Sequence, residues 1–135
     1  MRSMMIAVFA TFATATTLAA QAVERAAPAV EVTRAVVATA VEDREPVGES
    51  TTFAADVGTL YFYTVFEGSF DEAQVNHVWL YEGEEVARVP LTVRGPRWRT
   101  WSSKQIMPEW TGNWTVRVIA GDDKILATVD FTVGG

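Results

Sequence analysis

Asn113-Trp114-Thr115-Val116-Arg117-Val118-Ile119-Ala120-Gly121-Asp122-Asp123-Lys124-Ile125-Leu126-Ala127-Thr128-Val129-Asp130-Phe131-Thr132-Val133 contains two alternating runs on either side of a polar, turn-forming cluster. That is the pattern of an antiparallel β-hairpin. A two-residue loop at Asp122-Asp123 pairs Val118 with Ala127, Val116 with Val129 and Trp114 with Phe131, which gathers the apolar side chains on one face. Thr115, Arg117, Thr128 and Asp130 then turn to the other face, so one side of the hairpin lines a core and the other meets water.

Outward from this hairpin, β-branched and aromatic residues recur in short runs. They predict strands at Thr33–Glu42, Thr59–Glu67, Val75–Tyr81, Val86–Val93, Trp98–Ser103, Asn113–Ala120 and Ile125–Val133. Seven such strands in roughly 100 residues is the size of an immunoglobulin-like domain, and the expected fold is an all-β, antiparallel sandwich of about seven strands. No internal repeat appears, and no helical period follows Val23. The turn at Glu82-Gly83-Glu84-Glu85 permits two registers. A Gly83-Glu84 loop pairs Val78 with Val89 and Leu80 with Ala87 and turns His77, Trp79 and Tyr81 outward, with Trp79 opposite Arg88. A three-residue loop, Gly83 to Glu85, instead places Trp79 beside Val89 in the core. The second is favoured, because Trp is highly buried on average and the immunoglobulin fold places a Trp in its third strand.

Residues 1–22 read as a signal peptide: Arg2 supplies the positive start, Met4 to Ala20 is an uncharged run, and Ala20-Gln21-Ala22 is a small-residue cleavage signal. An uncleaved anchor is the alternative. Residues 23–32, broken by Pro28, are expected to be a linker, and residues 33–135 the sandwich domain. The expected location is periplasmic or secreted, or membrane-anchored with the domain outside the cytoplasm. Cleavage would remove Arg2 alone among the charges, so the exported chain would be one unit more negative than the −6 of the full sequence.

At 49% hydrophobic and 21% charged over 135 residues, the composition excludes a disordered tail, a collagen-like repeat and a multi-span membrane protein. The absence of cysteine excludes disulfides, thiolate metal sites and cysteine nucleophiles. No G-x-S-x-G elbow, dinucleotide fingerprint, phosphate loop or H-E-x-x-H motif occurs. A Ser-His-Asp triad would have to recruit the single histidine, His77. Asp71-Glu72 and Asp122-Asp123 fall in turns, where solvated carboxylates are commoner than a calcium site. The expectation is therefore a non-enzyme with no cofactor and no metal.

Charge is segregated. From Arg88 to Lys104 there are five basic residues, Arg88, Arg94, Arg97, Arg99 and Lys104, and no acidic one, in an otherwise acidic chain. All five tryptophans lie between Trp79 and Trp114. Arg and Trp anchor interfaces, and Arg with aromatics also suits carboxylates or anionic sugars. Alternation places Arg97, Arg99 and Trp101 on one face with Trp98 and Thr100 on the other. The candidate partner-binding residues are Arg88, Arg97, Arg99, Trp101, Lys104 and His77; the competing explanation is Arg stems packed on Trp rings for stability alone. Nucleic acid is excluded as a partner by the acidic balance, the sequence pI being about 4.7.

The stretches Gly95-Pro96-Arg97-Trp98-Arg99-Thr100-Trp101-Ser102-Ser103-Lys104 and Pro108-Glu109-Trp110-Thr111-Gly112-Asn113-Trp114-Thr115-Val116, with His77-Val78-Trp79-Leu80-Tyr81 before them, resemble the bacterial domain of unknown function 2914. The resemblance spans Arg34 to Val133. It implies an exported or membrane-tethered bacterial β-domain and brings no activity or catalytic residue with it. Glu109 to Val116 is also similar to the corner before strand F of immunoglobulin domains, with Trp114 in the place of the corner Tyr. The expected function is a non-catalytic interaction domain of the bacterial envelope that binds a protein partner or serves as accessory subunit of a membrane complex. The alternative is a carbohydrate-binding module using exposed Trp and Arg.

Overall fold

The computed structural model describes residues 29–134, and every regular element among them is a strand. In chain order they are β1 (Ala29–Ala38), β2 (Ala40–Glu42), β3 (Glu45–Val47), β4 (Thr52–Phe53), β5 (Gly58–Ser69), β6 (Glu72–Tyr81), β7 (Glu84–Arg94), β8 (Arg97–Ile106), β9 (Gly112–Ala120) and β10 (Ile125–Val133). One sheet has the order β1-β5-β8, the second β4-β10-β9-β6-β7, and β2 and β3 form a separate hairpin. All pairings are antiparallel except β4 with β10. The seven long strands occupy the A-B-E and C′-C-F-G positions of an immunoglobulin-like sandwich.

Each sheet contributes one face to the core. Leu60, Phe62 and Phe66 from β5 meet Trp79 from β6, Trp114, Val116 and Val118 from β9, and Phe131 from β10, all buried. Trp114 lies parallel to Phe131, with ring centres 5.9 Å apart, and donates its indole N–H to the Trp110 carbonyl at 3.1 Å. This bond reaches back four residues to the corner before the strand, as the hydroxyl of an immunoglobulin corner Tyr does. Tyr81 adds a hydroxyl bond to the Thr111 carbonyl at 2.7 Å.

The C-terminal hairpin has the expected pairs, Val118 with Ala127, Val116 with Val129 and Trp114 with Phe131. Its turn differs. Asp123 is left-handed, with φ 70°, and closes a three-residue loop in which Ala120 N–H reaches the Lys124 carbonyl. A bulge at Leu126 absorbs the extra residue and restores the register.

The β6–β7 hairpin follows neither of the two expected registers. Its loop is Glu82-Gly83, with φ 50° and 85°, the pair of positive φ angles that matches the twist of a two-residue hairpin. Val86 is bulged, so Trp79 faces Ala87 and His77 faces Val89. Trp79 is fully buried, as the favoured register required, but two positions along from the partner it named.

Three further corrections concern the N-terminal part. β1 starts at Ala29, so Ala29–Val32 are strand rather than linker. The expected strand Thr33–Glu42 breaks at Thr39, where Ala40–Glu42 turns away to pair with Glu45–Val47 through Asp43 and Arg44, both left-handed. β4 was not anticipated, because two residues are too few for a period. The signal peptide or anchor at 1–22, and the linker up to Pro28, lie outside the described residues.

Replacing Trp114 with Ala removes the ring stacked on Phe131 and the bond to Trp110. A loss of about 3–5 kcal/mol in unfolding free energy is expected, read from the urea midpoint. An unchanged midpoint would contradict the core position of the ring.

Candidate functional site

β5 is buried on both faces. Its outward side chains Tyr63 and Val65 are covered by a second layer, made by the β2–β3 hairpin and by side chains of β1 and β8. The Tyr63 hydroxyl donates to the Arg44 carbonyl at 2.6 Å, and Arg99 Nη1 reaches the same carbonyl at 3.3 Å and Glu45 Oε2 at 2.8 Å. The hydrogen bond that it donates to Glu45 holds the Arg99 guanidinium above its ordinary pKa. Arg34 pairs with Glu49 at 2.9 Å and with Glu45 at 3.5 Å, and its guanidinium carbon lies 5.8 Å from the Tyr63 ring centre. Trp101 stacks on Tyr63 with ring centres 5.9 Å apart and planes 14° apart.

Between the hairpin tip and β8 this layer leaves an open cleft of about 430 Å³ lined by Arg44, Arg97, Trp98, Arg99 and Trp101. That volume falls within the usual range for small-molecule sites. Among the described residues, Arg44 and Arg97 make no ion pair. Glu67 lies opposite Arg97 in the β5–β8 register, yet its carboxylate accepts the Thr33 hydroxyl at 2.7 Å. The cleft therefore presents two uncompensated guanidinium groups beside indole surface, a combination suited to carboxylates.

Of the residues singled out from sequence, Arg97, Arg99 and Trp101 meet in this cleft. The others do not. Arg88 lies on the outer face of the other sheet, opposite Val78, with two hydrogen bonds to Glu85 at 2.9 and 3.0 Å. That contact lowers the Glu85 pKa and raises that of Arg88. The Lys104 ammonium sits 4.9 Å from the Trp110 ring centre at a separate aromatic cluster with Tyr81 and Trp114.

His77 is a core residue, a correction to its place among the candidates. Trp79 Nε1 donates to Ser102 Oγ at 3.2 Å, and Ser102 Oγ is 2.7 Å from His77 Nδ1. His77 Nε2 is 3.0 Å from Thr64 Oγ1, which donates to the Thr100 carbonyl at 3.2 Å. Since the Thr64 proton is used on Thr100, Nε2 must carry the imidazole proton and Nδ1 accepts from Ser102. Phe62 packs against the ring at 4.4 Å. A partner cannot reach this histidine in the folded domain, because its exposure is 0%.

Arg44 and Trp98 are the cleft residues that sequence reasoning missed. The signal for Arg44 was the short polar turn Asp43-Arg44 before Pro46. Trp98 has inward parity on β8 but stands at the strand's start, where 37% of it remains exposed.

Residues 72–133 match the family model described as Protein of unknown function (DUF2914). The match to DUF2914 agrees with the resemblance carried by the Trp-rich blocks, and it runs from the first residue of β6 to the last of β10. It thus includes Arg97, Trp98, Arg99 and Trp101 and leaves Arg44 outside. No curated protein matches the chain. Among solved structures, β-glucosidase from Kluyveromyces marxianus is similar in two forms, selenomethionine-labelled and in complex with glucose, at 11% identity and TM-scores of 0.45 and 0.44. In each case 78% of this chain and 14% of the other chain are covered. This chain thus corresponds to a small part of those enzymes, and at such a score the likeness carries no function across.

Burial holds the His77 pKa well below its ordinary 6.5, at about 3. Between those two values the unfolded chain binds a proton that the folded chain excludes. Stability from this residue is therefore complete above about pH 6.5 and falls, by up to about 1.4 kcal/mol per unit, as the pH drops towards 3. Urea midpoints measured from neutral pH down to about pH 4 should decline less steeply in His77→Gln than in the wild type. Parallel declines would assign the acid sensitivity to carboxylates instead.

Proposed function

We propose that the protein is a non-catalytic, extracytoplasmic interaction domain of the bacterial envelope, which engages a protein partner or a larger membrane complex through the Arg44–Arg97 cleft. The observation that carries this reading is the pair of guanidinium groups without ion-pair partners beside Trp98 and Trp101. The export-type start of the sequence, Arg2 followed by the uncharged Met4–Ala20 run, supports the location. Enclosure of the one imidazole of the chain supports a non-catalytic role.

The tryptophans favour a protein partner over a carbohydrate platform. Stacking on sugars needs open ring faces, yet Trp79 and Trp114 are in the core, Trp101 has one face on Tyr63, and Trp110 lies between aromatic neighbours and Lys104. That leaves Trp98 as the one exposed indole, a single ring beside Arg44 and Arg97 rather than a row of stacking platforms, which is the composition of a protein-binding anchor.

The double variant Arg44→Gln/Arg97→Gln should lose partners that the immobilised wild-type chain retains from solubilised envelope proteins. Its melting temperature should stay close to that of the wild type, because neither charge is paired. Retention of the same partners by the variant refutes the cleft as the contact site. A large fall in melting temperature would instead assign the two arginines to packing.

A further inference from the structure

The edges of the two sheets are closed to different degrees. β4 is two residues long, β1 is irregular at Thr33, and β7 combines a bulge at Val86 with Pro90, which has no N–H to offer. β8 has none of these devices. Its ten residues pair with β5 without a register shift and include no proline. Among the described residues β5 is its one strand neighbour, and no backbone group outside that ladder bonds to residues 97–106. The cause is the connection from β7: only Gly95 and Pro96 separate it from β8, which leaves no chain for a strand that would cover this edge. Alternate residues of an antiparallel edge direct their N–H and C=O groups outward, so β8 offers an uninterrupted row of unpaired backbone groups beside the cleft.

We infer that β8 is a docking edge that accepts an extended acidic segment of the partner as an added strand. The inference rests on the cleft being the partner site and names the partner's conformation and charge. Backbone bonds to β8 supply binding, and alternate carboxylates on the added strand supply recognition. Alternate residues of a strand lie on one face about 7 Å apart, the same spacing as Arg97 and Arg99, so carboxylates at positions i and i+2 follow the Arg face of β8 and reach the cleft. Arg97 and Arg44 are the groups that gain a partner, since Arg99 already holds Glu45. A second copy of β8 is a poor occupant: residues 97–106 contain no carboxylate, so the copy brings nothing for Arg97 and Arg44 to pair with.

The test uses the full chain, isotopically labelled, and a capped peptide of about eight residues alternating Glu and Val. Titration should give saturable shifts at the cleft and slower amide exchange at alternate residues within 97–106. The same peptide N-methylated at every second residue keeps its charge and loses its strand bonds, and should bind at least about tenfold more weakly. Arg44→Gln/Arg97→Gln should weaken the parent peptide about tenfold. If the methylated peptide, or an oligogalacturonate of equal charge, binds as tightly as the parent, the edge inference is overturned while the cleft stands as an anion site. If none of the three probes perturbs the cleft, both the inference and the site fall.

Discussion

Four hydrogen bonds in series cross the space between the sheets, from the Trp79 indole through Ser102, His77 and Thr64 to the Thr100 carbonyl. Each donor in the chain has one acceptor, and the strands involved are β6 in one sheet and β5 and β8 in the other. In an apolar interior an unmatched member costs about 1–3 kcal/mol, so sliding one sheet past the other breaks several bonds at once, whereas aliphatic contacts alone would tolerate the shift. Ser102 is the junction, because it accepts from Trp79 and donates to His77, which ties β8 twice to β6.

That junction also sets the outer face. With Ser102 turned inward, the strand period obliges Trp101, Arg99 and Arg97 to point outward, over Tyr63 and Val65. The second layer then forms on them. Arg44 adopts a left-handed backbone, uncommon for a residue of its kind, and its carbonyl is gripped by the Tyr63 hydroxyl and by Arg99. Those bonds hold the hairpin tip against β5 and leave the Arg44 side chain at the cleft. Glu45 is divided between Arg99 and Arg34, which also holds Glu49, so neither Arg44 nor Arg97 gains from it.

What could be read from sequence follows from where period and composition agree. Trp114, Val116 and Val118 alternate with polar residues, and their partners on β10 do the same, so those pairs were legible even though the turn was not. The bulge at Leu126 compensates for the extra loop residue, an outcome decided by the left-handed Asp123 rather than by hydropathy. In β6 the signal failed, because Val78 and Leu80 are buried along with His77 and Trp79; a strand apolar on both faces has no alternation to fix its register. Arg97, Arg99 and Trp101 were placed together by parity along one strand. Arg44 arrives from more than fifty positions away, and although its turn is legible, its place beside Arg97 is set by the docking of the hairpin on β5.

The count of basic residues between Arg88 and Lys104 overstates the site, and the reason is local pairing. Arg88 is held by Glu85, Arg94 lies 3.2 Å from Glu72, Arg99 is held by Glu45, and Lys104 rests on Trp110. Of the four arginines, Arg97 alone is without a carboxylate partner among the described residues, and the cleft gains a second such charge because the β2–β3 hairpin delivers Arg44. At physiological salt, exposed charges act over about 8 Å, so this pair does not steer a distant anion. On the proposed reading, a carboxylate must arrive at contact distance in the right spacing, and an ordered strand edge beside the cleft is the element of this fold that can impose such spacing.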